Sequence, residues 1–290
     1  MTNLQLFAAC VAIWGSTWLA ITFQLGAAAP EASVFHRFLL ASVILFAYCR
    51  LRGLALRFSL RDHAWIALQG VLMFSVSYVF VYYAEQHVVS GLVAVGYSAS
   101  PLLNMLGLRF FFGTAMAGRI AVGALLGIAG IAIVFFPEFS RMKADGHVAI
   151  GAFFTAAAVI VSAFSSMAAH RNQGAGLPIW QTMAWGMLYG AIFTLGLAVA
   201  LGRPLGFDPT PAYVISLLYL VVLGSILAFG SFLTLLGRIG AARAGYIGVM
   251  VPIVALVISS LFEGYRWGLL SLAGVAVSVA GNAIILRRAR

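Results

Sequence analysis

Charged residues are scarce in this chain: they make up 8% of its 290 residues, whereas 63% of the residues are hydrophobic. A soluble globular domain carries about 25% charged residues, so the composition excludes that class. The chain has only two cysteines, Cys10 and Cys49, which excludes a disulfide-stapled scaffold. The apolar runs are long and uninterrupted, unlike the short alternating strands of a membrane β-barrel. The class that remains is an all-α polytopic membrane protein.

Motifs of catalysis and of nucleotide binding are missing as well. The sequence has no glycine-rich loop that ends in Lys-Ser or Lys-Thr, no His-Glu-x-x-His and no Gly-x-Ser-x-Gly. We therefore expect neither an enzyme nor an ATP-driven pump, and no cofactor or metal. The net charge of +10 does not indicate nucleic acid binding, because the basic residues stand singly between apolar runs and form no patch.

The apolar runs predict ten membrane-spanning helices, since about 20 apolar residues cross a bilayer. These runs cover residues 4–25, 33–50, 64–84, 90–112, 118–136, 148–170, 179–200, 212–236, 244–262 and 267–286. With the N-terminus in the cytoplasm, twelve lysines and arginines lie in inside loops and four in outside loops. Because positive charge accumulates on the inside, we expect both termini to face the cytoplasm.

The two halves of the chain share one register. Pro101 and Pro252 are 151 residues apart, and the same offset separates Gly113 from Gly264. The sequence therefore predicts two five-helix repeats, residues 1–140 and 145–290. Because five is odd, the second repeat enters the membrane from the opposite side. Such a 5+5 inverted-topology repeat is the architecture of alternating-access transporters.

The two prolines are the first candidates for a binding site. Pro101 and Pro252 fall near the middle of the fourth and ninth predicted spans. Each removes a backbone donor and frees the carbonyl four residues earlier, here the carbonyls of Tyr97 and Gly248. Interruptions at matching positions point to a transporter's substrate site. Prolines tolerated only for helix packing are the alternative.

Polar and aromatic residues at helical spacing supply further candidates. They are Trp14, Ser16 and Thr17 in the first span, Phe74, Tyr78 and Tyr82 in the third, and Gln181, Trp185 and Tyr189 in the seventh. A spacing of four residues places side chains on one face of a helix. Because a tyrosine hydroxyl in a membrane needs a partner, we expect Tyr78 and Tyr97 to line a cavity, together with Trp185. Core packing and the interfacial aromatic belt are the alternatives.

Few ionisable residues fall inside the predicted spans. His36 and Arg37 lie about one turn inside the second span, and they are the candidates for coupling transport to protons. Snorkelling of this pair to the interface is the alternative. Glu85 and Glu263 are predicted at external helix ends, where water solvates them, and no carboxylate is predicted at the centre of a span. We therefore expect facilitated exchange or efflux down a gradient, or proton coupling through His36.

These features resemble the drug/metabolite transporter superfamily, and within it the EamA-type ten-helix exporters. The resemblance is carried by Trp14-Gly15-Ser16, by Pro30 with His36-Arg37-Phe38, by Tyr83-Ala84, by the two mid-helix prolines and by Glu263. It implies an inner-membrane exporter of small metabolites, often amino acids, that alternates access between two four-helix bundles. The aromatic interior is similar to that of the YddG-type exporters of aromatic and other bulky amino acids.

Together the sequence predicts a carrier that exports amino acids, aromatic or otherwise bulky and apolar, or similar small metabolites. The alternatives are a cationic multidrug exporter, which would lack a buried carboxylate for its cation, and a passive channel or membrane-embedded enzyme. The expected partners are a small-molecule substrate and the lipid bilayer, and nucleic acid is not expected. A monomer is one of the assembly states that the sequence allows.

Overall fold

The computed structural model describes residues 1–26, 28–113, 118–141, 146–239 and 247–286. Its helices are α1 (Asn3–Thr22), α2 (Pro30–Leu51), α3 (Leu60–Glu85), α4 (Ser90–Phe112), α5 (Gly118–Arg141), α6 (His147–Gly174), α7 (Ile179–Ala200), α8 (Pro211–Tyr219, continuing through Leu220–Leu227 and Ala228–Ile239), α9 (Ile247–Phe262) and α10 (Leu269–Leu286). Five of the lysines and arginines that were counted to predict the orientation lie outside the described residues: Lys143, Arg243, Arg287, Arg288 and Arg290. The predicted start of the second repeat, residue 145, also lies outside them.

Seven of the helices are long and apolar enough to cross a membrane, and three further apolar stretches are shorter. The shorter ones are Leu125–Pro137, Ile247–Phe262 and Leu269–Ile284. Large apolar side chains such as Ile44, Phe110 and Ile192 are exposed on the helix surfaces. A lipid environment accounts for this exposure, because water would leave those surfaces unstable. The structure thus confirms the all-helical polytopic class.

Local sequence signals explain where several helices begin and end. Thr2 and Gln5 form a capping box at the start of α1, in which each side chain bonds the other's backbone N–H. Pro30 opens α2 and Pro211 opens α8, at positions where a missing N–H costs nothing. Gly113 ends α4 with φ near +67°, a conformation that favours glycine.

Two helices contain a π-helical segment, Leu72–Val76 in α3 and Leu220–Leu227 in α8. Both segments end at equivalent places in the 151-residue register, at Val76 and Leu227. A π-turn widens the helix and leaves backbone carbonyls less regularly paired. In α8 the hydroxyl of Ser225 donates to the carbonyl of Leu220 and satisfies one of them.

The main contacts between the first five helices and the last five follow a regular pattern. They join α1 to α8 and α9, α2 to α7 and α8, α3 to α6 and α7, α4 to α6 and α9, and α5 to α10. The pattern is unchanged when each helix is replaced by the helix five positions away in the chain. The pairs α2–α7, α4–α9 and α5–α10 then map onto themselves, and each of the other pairs maps onto another pair of the set.

Helices α5 and α10 cross at very short range through their glycines. A Cβ atom on Gly274 would lie 2.7 Å from the carbonyl oxygen of Gly130, and one on Gly281 would press against the carbonyl of Gly123. The small residues of these two helices therefore form a packing seam within one chain. Such close approach is typical of small-residue faces in membrane helices.

Candidate substrate-binding site

The centre of the candidate site is Arg37, whose side chain is 1% exposed inside the helix bundle. Its Nε donates to the hydroxyl of Ser225, at 3.1 Å, in the π-helical part of α8. Its Nη1 has no hydrogen-bond partner among the described residues. A buried guanidinium with an unused donor is costly and points towards a ligand or a function. Arg37 therefore lies inside the bundle and does not snorkel to the interface.

Aromatic rings enclose the guanidinium. The Cζ atom of Arg37 lies 4.5 Å from the ring centroid of Tyr78 and 5.1 Å from that of Phe38. Phe38 also contacts both Phe74 and Tyr78, with ring centroids 5.2 and 4.9 Å apart. The predicted common face of Phe74 and Tyr78 is thus present. Phe229 of α8 closes the group by contacting Phe74 at 5.7 Å.

Helices α1 and α4 supply a second pair of aromatic rings, which pack against the same hydrophobic core as Tyr78. The rings of Trp18 and Tyr97 lie 5.2 Å apart. The hydroxyls of Tyr97 and Ser77 are 2.9 Å apart, and Ser77 donates its own proton to the carbonyl of Ala158. Tyr97 must therefore be the donor to Ser77, which is the partner expected for a tyrosine hydroxyl at this depth. The indole Nε1 of Trp18 is buried and has no partner in the described part of the chain.

The other predicted residues of α1 tie it to α8. The indole of Trp14 donates to the carbonyl of Gly224 at 3.3 Å. The hydroxyls of Ser16 and Tyr219 lie 2.6 Å apart. The methyl group of Thr17 faces Gly224, where an added Cβ would lie 2.8 Å from it. These side chains lie on the α8 side of the site.

A buried carboxylate lies at the end of the aromatic group that is formed by the last turn of α3. Glu85 is 7% exposed, and neither of its carboxylate oxygens has a partner among the described residues. It lies within electrostatic range of Arg37 and of Glu263. The expectation that water solvates Glu85 is therefore wrong: the last turn of α3 lies inside the bundle, packed against α2, α4 and α6.

Tyr82 connects the two charged groups. It is fully buried, and its hydroxyl donates to Oε1 of Gln24 at 2.6 Å. It also interacts electrostatically with Arg37 and with Glu85. The Nε2 atom of Gln24 is buried without a partner within the described ranges. Sequence reasoning missed Gln24 and Ser225 as well as the burial of Glu85.

Glu263 joins the C-terminal end of α9 to the N-terminal end of α4. Its carboxylate accepts hydrogen bonds from the backbone N–H of Ser90, at 3.1 Å, and from the hydroxyls of Ser90 and Ser259. Ser259 in turn accepts from the N–H of Gly91 at 2.8 Å. The carboxylate therefore satisfies donors in the first turn of α4, as a helix N-terminus favours.

Trp185 and Tyr189 belong to a different cluster. Their rings stack 5.7 Å apart, and Trp185 donates to the carbonyl of Leu56 at 3.0 Å. The Tyr189 hydroxyl lies 2.9 Å from Nδ1 of His63. These contacts join α7 to the start of α3 and the loop before it, whereas Tyr78 contacts Arg37 and Tyr97 contacts Trp18 and Ser77. Gln181, one turn before Trp185, is buried in α7.

The prolines affect the two halves differently. In α4 a 3₁₀ turn, Tyr97–Ala99, precedes Pro101, and the Tyr97 carbonyl accepts a hydrogen bond from the N–H of Ser100. The expectation that this carbonyl is left free is therefore wrong, because the tighter turn supplies a nearer donor. Pro252 is buried in a narrow cleft that also contains residues of α4 and α10. Gly248 is exposed, and a Cβ there would meet open space.

His36 points away from Arg37, towards the loop before α8. Its ring lies 5.3 Å from Phe35 and 5.5 Å from Phe207. Its Nδ1 atom is buried without a partner among the residues described. The two neighbouring candidates for proton coupling are therefore in different surroundings.

A large apolar cleft of about 820 Å³ lies elsewhere, between α4 and α6. Its wall includes Phe110, which is 84% exposed, and Phe164. The cleft opens to the side of the bundle and shares no residue with the group around Arg37. We therefore assign the candidate site to the polar and aromatic interior, where charge and hydrogen-bonding groups converge.

Comparison with known proteins agrees with this architecture. The model of the EamA-like transporter family matches the chain twice, over residues 2–136 and 149–287. A solved crystal structure superposes with a TM-score of 0.71, covering 97% of this chain and 95% of that chain at 18% sequence identity. At this identity the likeness shows the fold alone.

Two relatives are similar over nearly the whole chain. An uncharacterized inner membrane transporter, YedA of Escherichia coli strain K12, is 30% identical over 272 residues, which are 90% of this chain and 84% of the relative. A probable terminal-alkyne amino-acid exporter of Streptantibioticus cattleyicolor is 28% identical over 283 residues, 96% of this chain and 91% of that protein.

Proposed function

The chain belongs to the EamA-like transporter family, and from this premise we propose that it exports amino acids or similar small metabolites by alternating access. It is a multi-pass protein of the bacterial inner membrane. Its family and the names of its relatives point to a transporter and not to an enzyme. The substrate and the mechanism are our proposal.

The observation that carries the mechanism is the exchange pattern of the helix contacts. Each main contact between the first five helices and the last five has a counterpart with the halves exchanged. Two halves packed in this way can adopt two equivalent arrangements that expose a shared site to opposite faces of the membrane. The two π-helical segments and the two family matches support the same relation.

The proposed architecture has ten spans in two repeats of five, with both termini in the cytoplasm. Helices α5, α9 and α10 would then cross the membrane although their apolar stretches are the shorter ones. The pairing of α5 with α10 supports this, because each helix covers the small-residue face of the other.

The aromatic interior supports an amphipathic substrate. Phe38 and Tyr78 provide apolar ring surfaces next to the charge of Arg37. An amino acid with a bulky apolar side chain matches this mixture, because its charges and its side chain need different surroundings. The name of the Streptantibioticus relative, an amino-acid exporter, supports the same class.

A cationic multidrug exporter is the second candidate. The buried carboxylate of Glu85 favours it, because such an exporter needs a negative group to pair with its cation. The aromatic rings would add cation–π contacts. Arg37 disfavours it, since its positive charge repels a cation in the same space.

A counterflow assay with purified protein in liposomes tests the proposal. Vesicles loaded with an unlabelled compound should accumulate the same labelled compound from outside, for L-phenylalanine, L-leucine or L-threonine. The accumulation should saturate with concentration, which a channel would not show. Accumulation of ethidium without any of the amino acids would support the multidrug alternative. Uptake of none of them would contradict the proposed function.

Proton coupling is tested in the same vesicles with an imposed pH gradient. If the gradient drives uphill transport, His36→Gln should abolish that drive and leave counterflow intact, because counterflow needs no coupling ion. Persistent uphill transport in His36→Gln would assign the coupling to another group. Transport unaffected by the gradient would support facilitated exchange.

A further inference from the structure

We infer that Arg37 and Glu85 bind the two opposite charges of a zwitterionic amino acid, the carboxylate at Arg37 and the ammonium at Glu85. The inference rests on the proposed function and specifies the substrate class: compounds that carry a free carboxylate and a free ammonium group together. Neither an amine nor a carboxylic acid with the same side chain satisfies both groups.

The first argument is the set of buried polar atoms that are left without partners. These atoms include the donors Nη1 of Arg37, Nε1 of Trp18 and Nε2 of Gln24 and, as acceptors, both carboxylate oxygens of Glu85. Oε2 of Glu31 is a further buried acceptor in the set, but the other oxygen of Glu31 is paired. Buried polar groups in native proteins are nearly always paired, so a cluster of unpaired ones needs an explanation. A molecule with one acceptor end and one donor end pairs the groups of both kinds at once.

The second argument is that the two charges do not pair with each other. They are within electrostatic range, but no salt bridge joins them in the described part of the chain. Isolated buried charges are costly, and direct pairing would be the simplest relief. A bound zwitterion gives the same relief without bringing the two side chains together.

The third argument is the geometry of α2 and α3. Tyr78, Tyr82 and Glu85 lie on one face of α3, and Arg37 lies over the ring of Tyr78. Seven residues separate Tyr78 from Glu85, about 10 Å along a helix. Helical side chains lean towards the N-terminus of their own helix, so Glu85 leans towards Arg37, and Arg37 on antiparallel α2 leans towards Glu85. The two charged ends therefore point towards each other along the face of α3 that carries Tyr82.

Competition in wild-type counterflow is the first test. For labelled L-phenylalanine the competitors are 2-phenylethylamine, which lacks the carboxylate, and 3-phenylpropanoate, which lacks the ammonium. For L-leucine they are 3-methylbutylamine and 4-methylpentanoate. We expect each analogue to compete at least about tenfold more weakly than the unlabelled amino acid, because one charge-assisted interaction is lost. Equal competition by either analogue would overturn the inference.

Substitutions assign each charge to its residue. The measured quantity is the ratio of the concentrations at which an analogue and unlabelled phenylalanine inhibit counterflow equally. Glu85→Gln should reduce this ratio about tenfold for 3-phenylpropanoate, and Arg37→Gln should reduce it about tenfold for 2-phenylethylamine. Glu31→Gln is the matched control, since Glu31 is also buried near the external end but one of its oxygens accepts from the hydroxyl of Tyr83 at 2.6 Å, whereas neither oxygen of Glu85 has a partner among the described residues. Its competition ratios should equal those of the wild type.

Three outcomes separate this inference from the proposed function. Counterflow of amino acids with unchanged ratios in a folded Glu85→Gln protein would overturn the zwitterion site and leave the carrier function standing. The same shift in Glu31→Gln and Glu85→Gln would also overturn it, because general charge removal would then explain both. Counterflow of no amino acid would contradict the proposed function itself. Gel filtration of each variant establishes folding, and the wild-type competition requires no variant.

Discussion

His36 and Arg37 are adjacent in sequence but lie in different environments. Neighbouring residues of a helix point about 100° apart, so burying one directs the other elsewhere. Arg37 lies among Tyr78, Phe38 and Ser225, whereas His36 faces Phe207 in the loop before α8. The sequence places both residues near one end of α2, but it does not determine the rotation of that helix against its neighbours. The burial of Arg37 could therefore not be predicted from the sequence.

The ring of Tyr78 holds the Arg37 guanidinium in place, and this leads to a prediction about substitution. Tyr78→Leu should raise the concentration for half-maximal counterflow about thirtyfold, because a desolvated cation–π contact of about 2 kcal/mol is lost. Tyr78→Phe is the control, since it keeps the ring and should change that concentration far less. Equal values for Tyr78→Leu and wild type would exclude a role of the ring in orienting Arg37.

An exposed histidine pair, next to the end of α3 and at the start of α6, predicts a dependence of stability on pH. The Nδ1 atoms of His87 and His147 lie 3.0 Å apart. Burial lowers the pKa of His87 below its usual value, and the nearby His147 lowers this pKa further. The folded protein therefore binds a proton at His87 less readily than the unfolded chain. This contribution to stability is complete above the unfolded pKa of 6.5 and falls as the pH drops below it.

We expect the melting temperature of the wild type to fall more than that of His87→Gln between pH 7.5 and pH 5. The extra fall should be small, about 1 to 3 °C, because the pair lies near the surface. Thermal unfolding of the two detergent-purified proteins at pH 7.5 and at pH 5 measures this difference in melting temperature. Identical pH dependence in the two proteins would show that the pair carries no such linkage.

At the scale of helices, apolar runs predicted positions well and internal irregularities poorly. The predicted spans 90–112 and 179–200 coincide with α4 and α7, because loops of polar residues and turn formers bound them on both sides. The π-helical segment Leu72–Val76 leaves no mark on composition, since its residues are ordinary helix formers. The aromatic stripes of α3 and α7 have the same spacing, yet they pack in different places. Spacing identifies a face of a helix but not what that face contacts.

The seam between α5 and α10 predicts a strong position effect among its glycines. Gly274→Ala should destabilise the protein by about 1 to 3 kcal/mol, because the new Cβ would lie 2.7 Å from the Gly130 carbonyl and 2.8 Å from the Val134 nitrogen. Gly127→Ala on α5 is the control, since a Cβ there meets nothing within 4 Å. Thermal unfolding in detergent compares the two variants. Equal melting temperatures of the two variants would show that the close approach of α5 and α10 at Gly274 does not contribute to the stability of the protein.

At the scale of the whole molecule, the prediction of two related halves rested on a shared register. Pro101 matches Pro252, and Gly113 matches Gly264 at the same offset. Repeated residues mark equivalent places in a duplicated chain, and this information survives without knowledge of packing. The site itself is formed by residues far apart in sequence, such as Gln24 and Tyr82 or Arg37 and Ser225. Such contacts depend on how α1, α2, α3 and α8 assemble, and no local pattern encodes them.

The proposed alternating access requires that contacts at the external ends of helices break once in each transport cycle. In the proposed topology the junction of α4 and α9 is one such contact. The hydroxyl oxygens of Ser90 and Ser259 lie 3.2 Å apart, close enough for a disulfide between cysteines at these positions. The native Cys10 and Cys49 are buried and can be replaced by alanine. In that background, oxidation of the Ser90→Cys, Ser259→Cys protein should stop counterflow, because the cross-linked helices can no longer separate. Dithiothreitol should restore counterflow by reducing the disulfide.

Each single-cysteine protein should be insensitive to oxidation, which controls for the loss of the bonds to Glu263. Full counterflow by the cross-linked protein would show that this junction stays closed throughout the cycle, and the moving boundary would then have to lie elsewhere between the halves.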